Sequence, residues 1–129
     1  MNRCVLDSYA VLAYLHREAG WERVKELLKT AAEGHAELHM SLVNLAEVQY
    51  VLIRRRKDLS SRLAALESLP ISVESADAYV PQVVEIKARY PISLADCFAA
   101  ALARDLDCPV VTGDPEFRKL ESIVKIDWL

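Results

Sequence analysis

Glycine and proline are scarce in this chain, three and five residues in 129, and no Gly/Ser/Pro-rich stretch interrupts it. That scarcity argues against a flexible linker or a low-complexity tract, and a single domain over residues 1–129 is expected. No segment repeats at a fixed period, which sets aside a solenoid or propeller. Long apolar runs are also missing: none approaches the ~18–20 residues that span a bilayer, so no membrane partner is expected. The opening Met1-Asn2-Arg3-Cys4-Val5-Leu6-Asp7 meets an acid too early for a signal peptide. Cysteine is sparse and scattered as Cys4, Cys97 and Cys108, with no Cys-x-x-Cys pair. An odd number without pairing motifs fits a thiol protein of the reducing cytoplasm. Nor is there an excess of positive charge: 16 Lys and Arg face 19 Asp and Glu, a net charge of -3. A protein that coats nucleic acid with a broad basic surface is therefore disfavoured, though an enzyme touching a few phosphates is not.

What the chain does have is apolar material, 53% of its residues, arranged as short runs alternating with helical patterns. That alternation reads as an α/β domain with a mainly parallel sheet. Strands are expected at Arg3–Leu6, Leu38–Ser41, Ile71–Val73, Pro109–Thr112 and Ile123–Trp128. Helices are expected from Ser8, from Trp21 to Ala32, from Val43 to Ile53, from Asp58 towards Pro70, and up to Pro91 with Pro81 at its start. The Ala-rich segment from Leu94 to Leu106 is a further helix, since alanine is the best helix former. A short helix follows Asp114-Pro115.

Four acids stand at strand-to-helix junctions: Asp7, Glu47, Asp96 and Asp114. Each has a structural explanation. Asp7 can cap a helix with Ser8. Asn44-x-x-Glu47 and Ser93-x-x-Asp96 fit the capping-box spacing, and Asp114-Pro115 fits an N-cap followed by a first-turn proline. Taken together they also have a chemical explanation. In an open α/β sheet the carboxyl ends of the strands form one rim where ligands bind, and helix N-termini there favour ionised acids. Carboxylates gathered on that rim would repel one another without a cation. Oxygen-only donors favour Mg²⁺ or Mn²⁺, ions suited to phosphodiester hydrolysis.

The chain resembles the PIN-domain ribonucleases, and among them the VapC-type toxins. The pieces that carry the likeness are Val5-Leu6-Asp7-Ser8-Tyr9, Leu45-Ala46-Glu47-Val48, the block from Ile92 to Ala103, and Val111-Thr112-Gly113-Asp114-Pro115-Glu116-Phe117. The Ser93–Ala103 block with Thr112-Gly113-Asp114 is the most specific of these, and all occur in family order to the end of the chain. The resemblance implies a three-layer α/β/α PIN-like fold and an endoribonuclease dependent on Mg²⁺ or Mn²⁺. The acidic metal-site positions would fall on Asp7, Glu47, Asp96 and Asp114. Metal-activated water would cleave RNA to a 5′-phosphate and a 3′-hydroxyl. It also implies a homodimer silenced by a VapB-type antitoxin. Thr112 falls where the family carries a small hydroxyl beside the last acid. Ser8 and Asn44 are supporting candidates, although many relatives have Thr or Ser in place of Asn44. Glu116 is either an outer ligand or a first-turn helix acid.

Arg54-Arg55-Arg56-Lys57 is the one dense basic run. It can contact RNA phosphates or simply end a helix, whose negative pole suits cations. His35 and His39 are four apart, a zinc spacing on a helix, but the segment enters a strand. Tyr9, Tyr14 and Trp21 read as packing residues with base stacking as the alternative. Tyr79, Val80, Val83, Val84 and Ile86 form an apolar face for either the core or a dimer. Beside the toxin reading stand a PIN-type nuclease of RNA processing or of structured DNA, and a non-catalytic PIN-like binding module. A receiver domain would need paired acids after the first strand and a Lys after a late strand, and it has neither. A Gly-x-Ser-x-Gly turn is missing as well, so no Ser-His-Asp hydrolase stands out.

Overall fold

The computed structural model describes residues 2–129. Five strands form one sheet: β1 (Asn2–Leu6), β2 (Ala36–Ser41), β3 (Ser72–Glu74), β4 (Val110–Thr112) and β5 (Ile126–Trp128). Their order is β3-β2-β1-β4-β5 and every pairing is parallel, so the sheet is wholly rather than mainly parallel. The helices are α1 (Ser8–His16), α2 (Trp21–Ala32), α3 (Leu42–Arg55), α4 (Leu59–Glu67), α5 (Val80–Arg89) and α6 (Leu94–Asp105). Two 3₁₀ segments, Asp77–Tyr79 and Pro115–Leu120, complete the set. Among the described residues no helix is long and apolar enough to cross a membrane.

The period-2 alternation of β1 sorts its side chains onto two cores. Val5 joins Val110, Val83, Ile86 and the α6 alanines on one face. Cys4 and Leu6 join Val111, Leu38 and Met40, with α1 to α4 above them, on the other. The register Val5↔Val110 and Leu6↔Val111 keeps neighbouring residues on the same face. Helices cover both faces, which is why β1 and β4 read as continuous apolar runs rather than alternating ones. α6 buries Ala99, Ala100, Ala101 and Ala103 completely, and their small side chains let it lie close to the sheet.

The chain passes from β1 to β2 and β3 on one side, then crosses back to β4 and β5 on the other. The sheet therefore divides between β1 and β4, and the crevice at their carboxyl ends is the ligand position of such sheets. Asp7 follows β1 there, and Gly113-Asp114 follows β4.

Several local expectations need correction. α3 begins at Leu42 with Ser41 as its cap, so Asn44-x-x-Glu47 is not a capping box. Asn44 lies inside the first turn and Glu47 in the second. Asp58 precedes α4 in a left-handed conformation, φ 48°, and makes no side-chain cap bond. The final strand starts at Ile126 rather than Ile123, because Ile123 and Val124 are held in a turn by the Leu120 carbonyl. The third strand is displaced by one residue, to Ser72–Glu74.

Candidate active site

Asp7, Ser8, Glu47, Asp96, Asp114 and Glu116 all line one cleft of about 550 Å³, together with Tyr9, Lys87 and the Pro91–Ser93 loop. The floor is Asp7, only 1% exposed. Its Oδ1 accepts the Ala10 amide at 2.9 Å, so it does cap α1. Its Oδ2 accepts the Thr112 hydroxyl at 2.5 Å. That hydroxyl in turn accepts the Asp114 amide at 3.0 Å, so Thr112 ties the ends of β1 and β4 together. Asp114 accepts the Glu116 amide at 3.0 Å and caps the following 3₁₀ segment. Asp96 sits one turn into α6, its amide bonded to Ser93 Oγ at 3.2 Å.

Behind the acids, Ser8 and Asn44 serve as a strut. The Ser8 hydroxyl donates to the Asn44 carbonyl at 3.1 Å, and Asn44 Nδ2 donates to Ser8 Oγ at 3.2 Å and to the Ala95 carbonyl at 3.3 Å. These bonds join the first turns of α1, α3 and α6, which carry or adjoin Asp7, Glu47 and Asp96. Position 44 thus places helices, and its fully buried amide does not line the cleft.

The electrostatics follow from burial among like charges. Burial pushes the Asp7 carboxyl up to about 7. The Thr112 and Ala10 bonds pull it back, and the Asp96 and Asp114 charges add to the rise. Asp96 rises to about 6, again chiefly through burial; the Ser93 hydroxyl opposes this, and Asp114, Glu47 and Glu116 reinforce it. Glu47 and Asp114 are half-buried, and among the described residues neither is in an ion pair. Glu116 is exposed and paired with Lys119 at 2.8 Å, the position of a first-turn acid on the cleft margin. Among the described residues no three Asp, Glu, His or Cys side chains converge on a common point as they stand.

The profile of the PIN domain matches residues 4–123. The chain belongs to the PIN-domain family. Ribonuclease VapC1 of Mycobacterium tuberculosis is 30% identical over 117 residues, which cover 88% of this chain and 87% of the relative, placing the PIN domain in the VapC group. A DNA-bound VapBC from Salmonella typhimurium shares the fold, with a TM-score of 0.76 at 19% identity over 98% of each chain. Mycobacterium tuberculosis VapC20, described as a toxin cleaving the sarcin-ricin loop, superposes with a TM-score of 0.70 at 19% identity, over 98% of this chain and 99% of its own.

Other expected residues of this PIN domain fall elsewhere. Arg54–Lys57 end α3, the far end from the cleft, and none of them lines it. His35 is exposed, and His39 sits in β2 with Nδ1 2.8 Å from Glu74 Oε1. Tyr79, Val83 and Ile86 face the core, while Val80 and Val84 are left exposed.

One cleft residue, Lys87, belongs to no motif. Lys87, near the end of α5, donates to the Ile92 carbonyl at 2.5 Å and supplies a cation at the mouth. Only the packing of α5 on α6 brings it there. Tyr9 lays its ring over Gly113, where an added Cβ would sit 2.4 Å from Tyr9 Cε1. Tyr9 is 41% exposed and its ring can swing aside, so Gly113→Ala is expected to displace it at a cost of about 1 kcal/mol or less, measurable by urea unfolding.

Proposed function

We propose that this PIN domain, a single unit over residues 1–129, is an endoribonuclease dependent on Mg²⁺ or Mn²⁺. The observation that carries the reading is the gathering of Asp7, Glu47, Asp96 and Asp114 around one cleft at the switch point of the sheet. The donor set is all oxygen, and each carboxylate oxygen of Asp7 keeps acceptor capacity beyond its one hydrogen bond. Burying such acids together without a cation leaves Asp7 and Asp96 reluctant to ionise, so the residues fit a hard divalent ion. Asp7, Asp96 and Asp114 would hold it, with Glu47 completing the set. Bound there, the ion would polarise a phosphodiester and make an adjacent water more acidic.

The chain's own groups then have definite tasks. Thr112 holds the Asp7 carboxylate in place, and Ser93 sets the first turn that presents Asp96. Lys87 offers the entering phosphodiester a positive charge in an otherwise acidic cleft. Tyr9 closes the side over Gly113.

The biological reading is the toxin of a toxin–antitoxin pair, with a VapB-type antitoxin as partner. It is supported by the VapC1 relative and by structural neighbours that are VapBC assemblies. We place a homodimer contact on the exposed Val80 and Val84 of α5.

Chelation is the direct test. Total RNA incubated with the purified protein and Mg²⁺ is expected to yield fragments with 5′-phosphate and 3′-hydroxyl ends. EDTA should abolish cleavage, and excess Mg²⁺ or Mn²⁺ should restore it. Cleavage that survives complete chelation would sink the reading.

A further inference from the structure

A second cleft, of about 340 Å³, opens between α1, α2 and α4 and is lined by Tyr14, Arg17, Trp21, Lys25, Asp58 and Arg62, among others. Its cations are ordered without being neutralised. The Arg17 guanidinium lies 5.2 Å and the Lys25 ammonium 5.6 Å from the centre of the Trp21 ring. An indole holds such groups in place while leaving their charge available. Among the described residues none of Arg17, Lys25 and Arg62 pairs with a carboxylate. Arg62 Nη1 is buried with no hydrogen-bond partner, a donor that calls for an acceptor oxygen.

The basic run continues this surface. Arg55 lies 3.6 Å from Glu18, the neighbour of Arg17, so the end of α3 abuts the margin of the cleft. Arg56, in a left-handed conformation with φ 56°, turns the chain there into Lys57 and Asp58. Arg55, Arg56 and Lys57 thus extend the three cleft cations into a track, whereas Arg54 is turned back along α3 onto Tyr50, donating to its hydroxyl at 2.7 Å. Among the described residues Asp58 is the acid in the cleft lining, and Glu18 pairs with Arg55. The track is remote from the acids: α3 starts at the catalytic rim and runs 14 residues to Arg55. At ~1.5 Å per residue Arg55 stands about 12 Å along the helix from Glu47, the acid that α3 itself carries.

We propose that this surface is a basic exosite that grips the phosphate backbone of a folded RNA, away from the bond being cut. The proposal rests on RNA being the substrate of the acidic cleft. A repeating anion suits a track of spaced cations better than a single carboxylate does. No phosphate can occupy both places, so the ligand must be an RNA long enough to reach from the acidic cleft to the track. Recognition by the exosite then selects long or folded RNA over short pieces.

The test measures binding of a stem-loop RNA and of a tetranucleotide in EDTA, for three proteins. These are the wild type, Arg17→Gln/Lys25→Gln/Arg62→Gln, and Arg55→Gln/Arg56→Gln/Lys57→Gln. Each triple variant is expected to lose at least tenfold more affinity for the stem-loop than for the tetranucleotide. The slope of log affinity against log salt should flatten by about two to three. The second variant changes only the exposed run and decides the matter if the first fails to fold. Equal losses on both RNAs, or none on the stem-loop, would overturn the exosite. So would unchanged RNA binding alongside lost binding of a polyglutamate peptide, which would assign the surface to an acidic protein partner. If stem-loop binding depends on the track but no RNA is cut with Mg²⁺, the ribonuclease reading fails and the exosite with it, leaving an RNA-binding surface alone.

Discussion

Asp96→Asn is expected to lower RNA cleavage at saturating Mg²⁺ by at least about 100-fold, with the fold retained. Losing a ligand of a catalytic cation removes several kcal/mol of charge stabilisation, and each ~1.4 kcal/mol is tenfold in rate. The substitution keeps the shape of the side chain, and the amide of residue 96 still bonds to Ser93 Oγ, so the cap of α6 survives. Circular dichroism should therefore match the wild type while single-turnover cleavage collapses. Wild-type rates in the Asn variant would show that Asp96 is a helix acid and nothing more.

Asp7→Asn should stabilise the metal-free protein at pH 8 and inactivate it. Asp7 is held at about 7 against an ordinary 3.8, so the folded state binds its proton more tightly than the unfolded chain does. A raised carboxyl of this kind contributes its stability fully below about pH 4 and loses it as pH rises through about 7. Above that, ionising Asp7 costs the metal-free fold on the order of 4 kcal/mol, at ~1.4 kcal/mol per pKa unit. The Asn variant escapes this cost, so its Tm in EDTA should exceed the wild type by several degrees at pH 8. At pH 4 the two should nearly coincide. Mg²⁺ should raise the wild-type Tm at pH 8 and leave the variant almost unmoved, because a bound cation relieves the charge only where a carboxylate is present. Calorimetry at the two pH values checks all of this. A lower Tm for the variant at pH 8 in EDTA would mean that the bonds to Thr112 and Ala10 outweigh burial.

Much of the fold was legible because it is written locally. Val5-Leu6-Asp7-Ser8 contains a buried strand, its end and a helix cap in four successive residues, and the structure builds them so. The same holds for Val110–Thr112 running into Asp114-Pro115, and for Ser93 opening the Ala-rich α6. Where the rules are not local they misled. Asn44 and Asp58 have the chemistry of caps, yet Ser41 caps α3, and Asp58 occupies a left-handed turn without a cap bond. Capping preference tells which residues suit a helix start, and tertiary packing decides where the helix starts.

The four acids with which the functional reading began were determined by sequence, each at or near a helix start: Asp7, Glu47 and Asp114 after a strand, Asp96 after α5. That they share one cleft was decided by the parallel order β3-β2-β1-β4-β5, which sets the ends of β1 and β4 side by side across more than a hundred residues of chain. The same tertiary step brought Lys87 to the mouth of the cleft and buried Asp7 deeply enough to resist ionisation. It also carried the basic run away from the acid cleft and set Arg55 against Glu18, beside Arg17, because α3 points outward from the rim. Composition and spacing specify which groups a chain owns and which segments fold into helices and strands. Electrostatic character arises from proximity and loss of water, and both are properties of the packed fold.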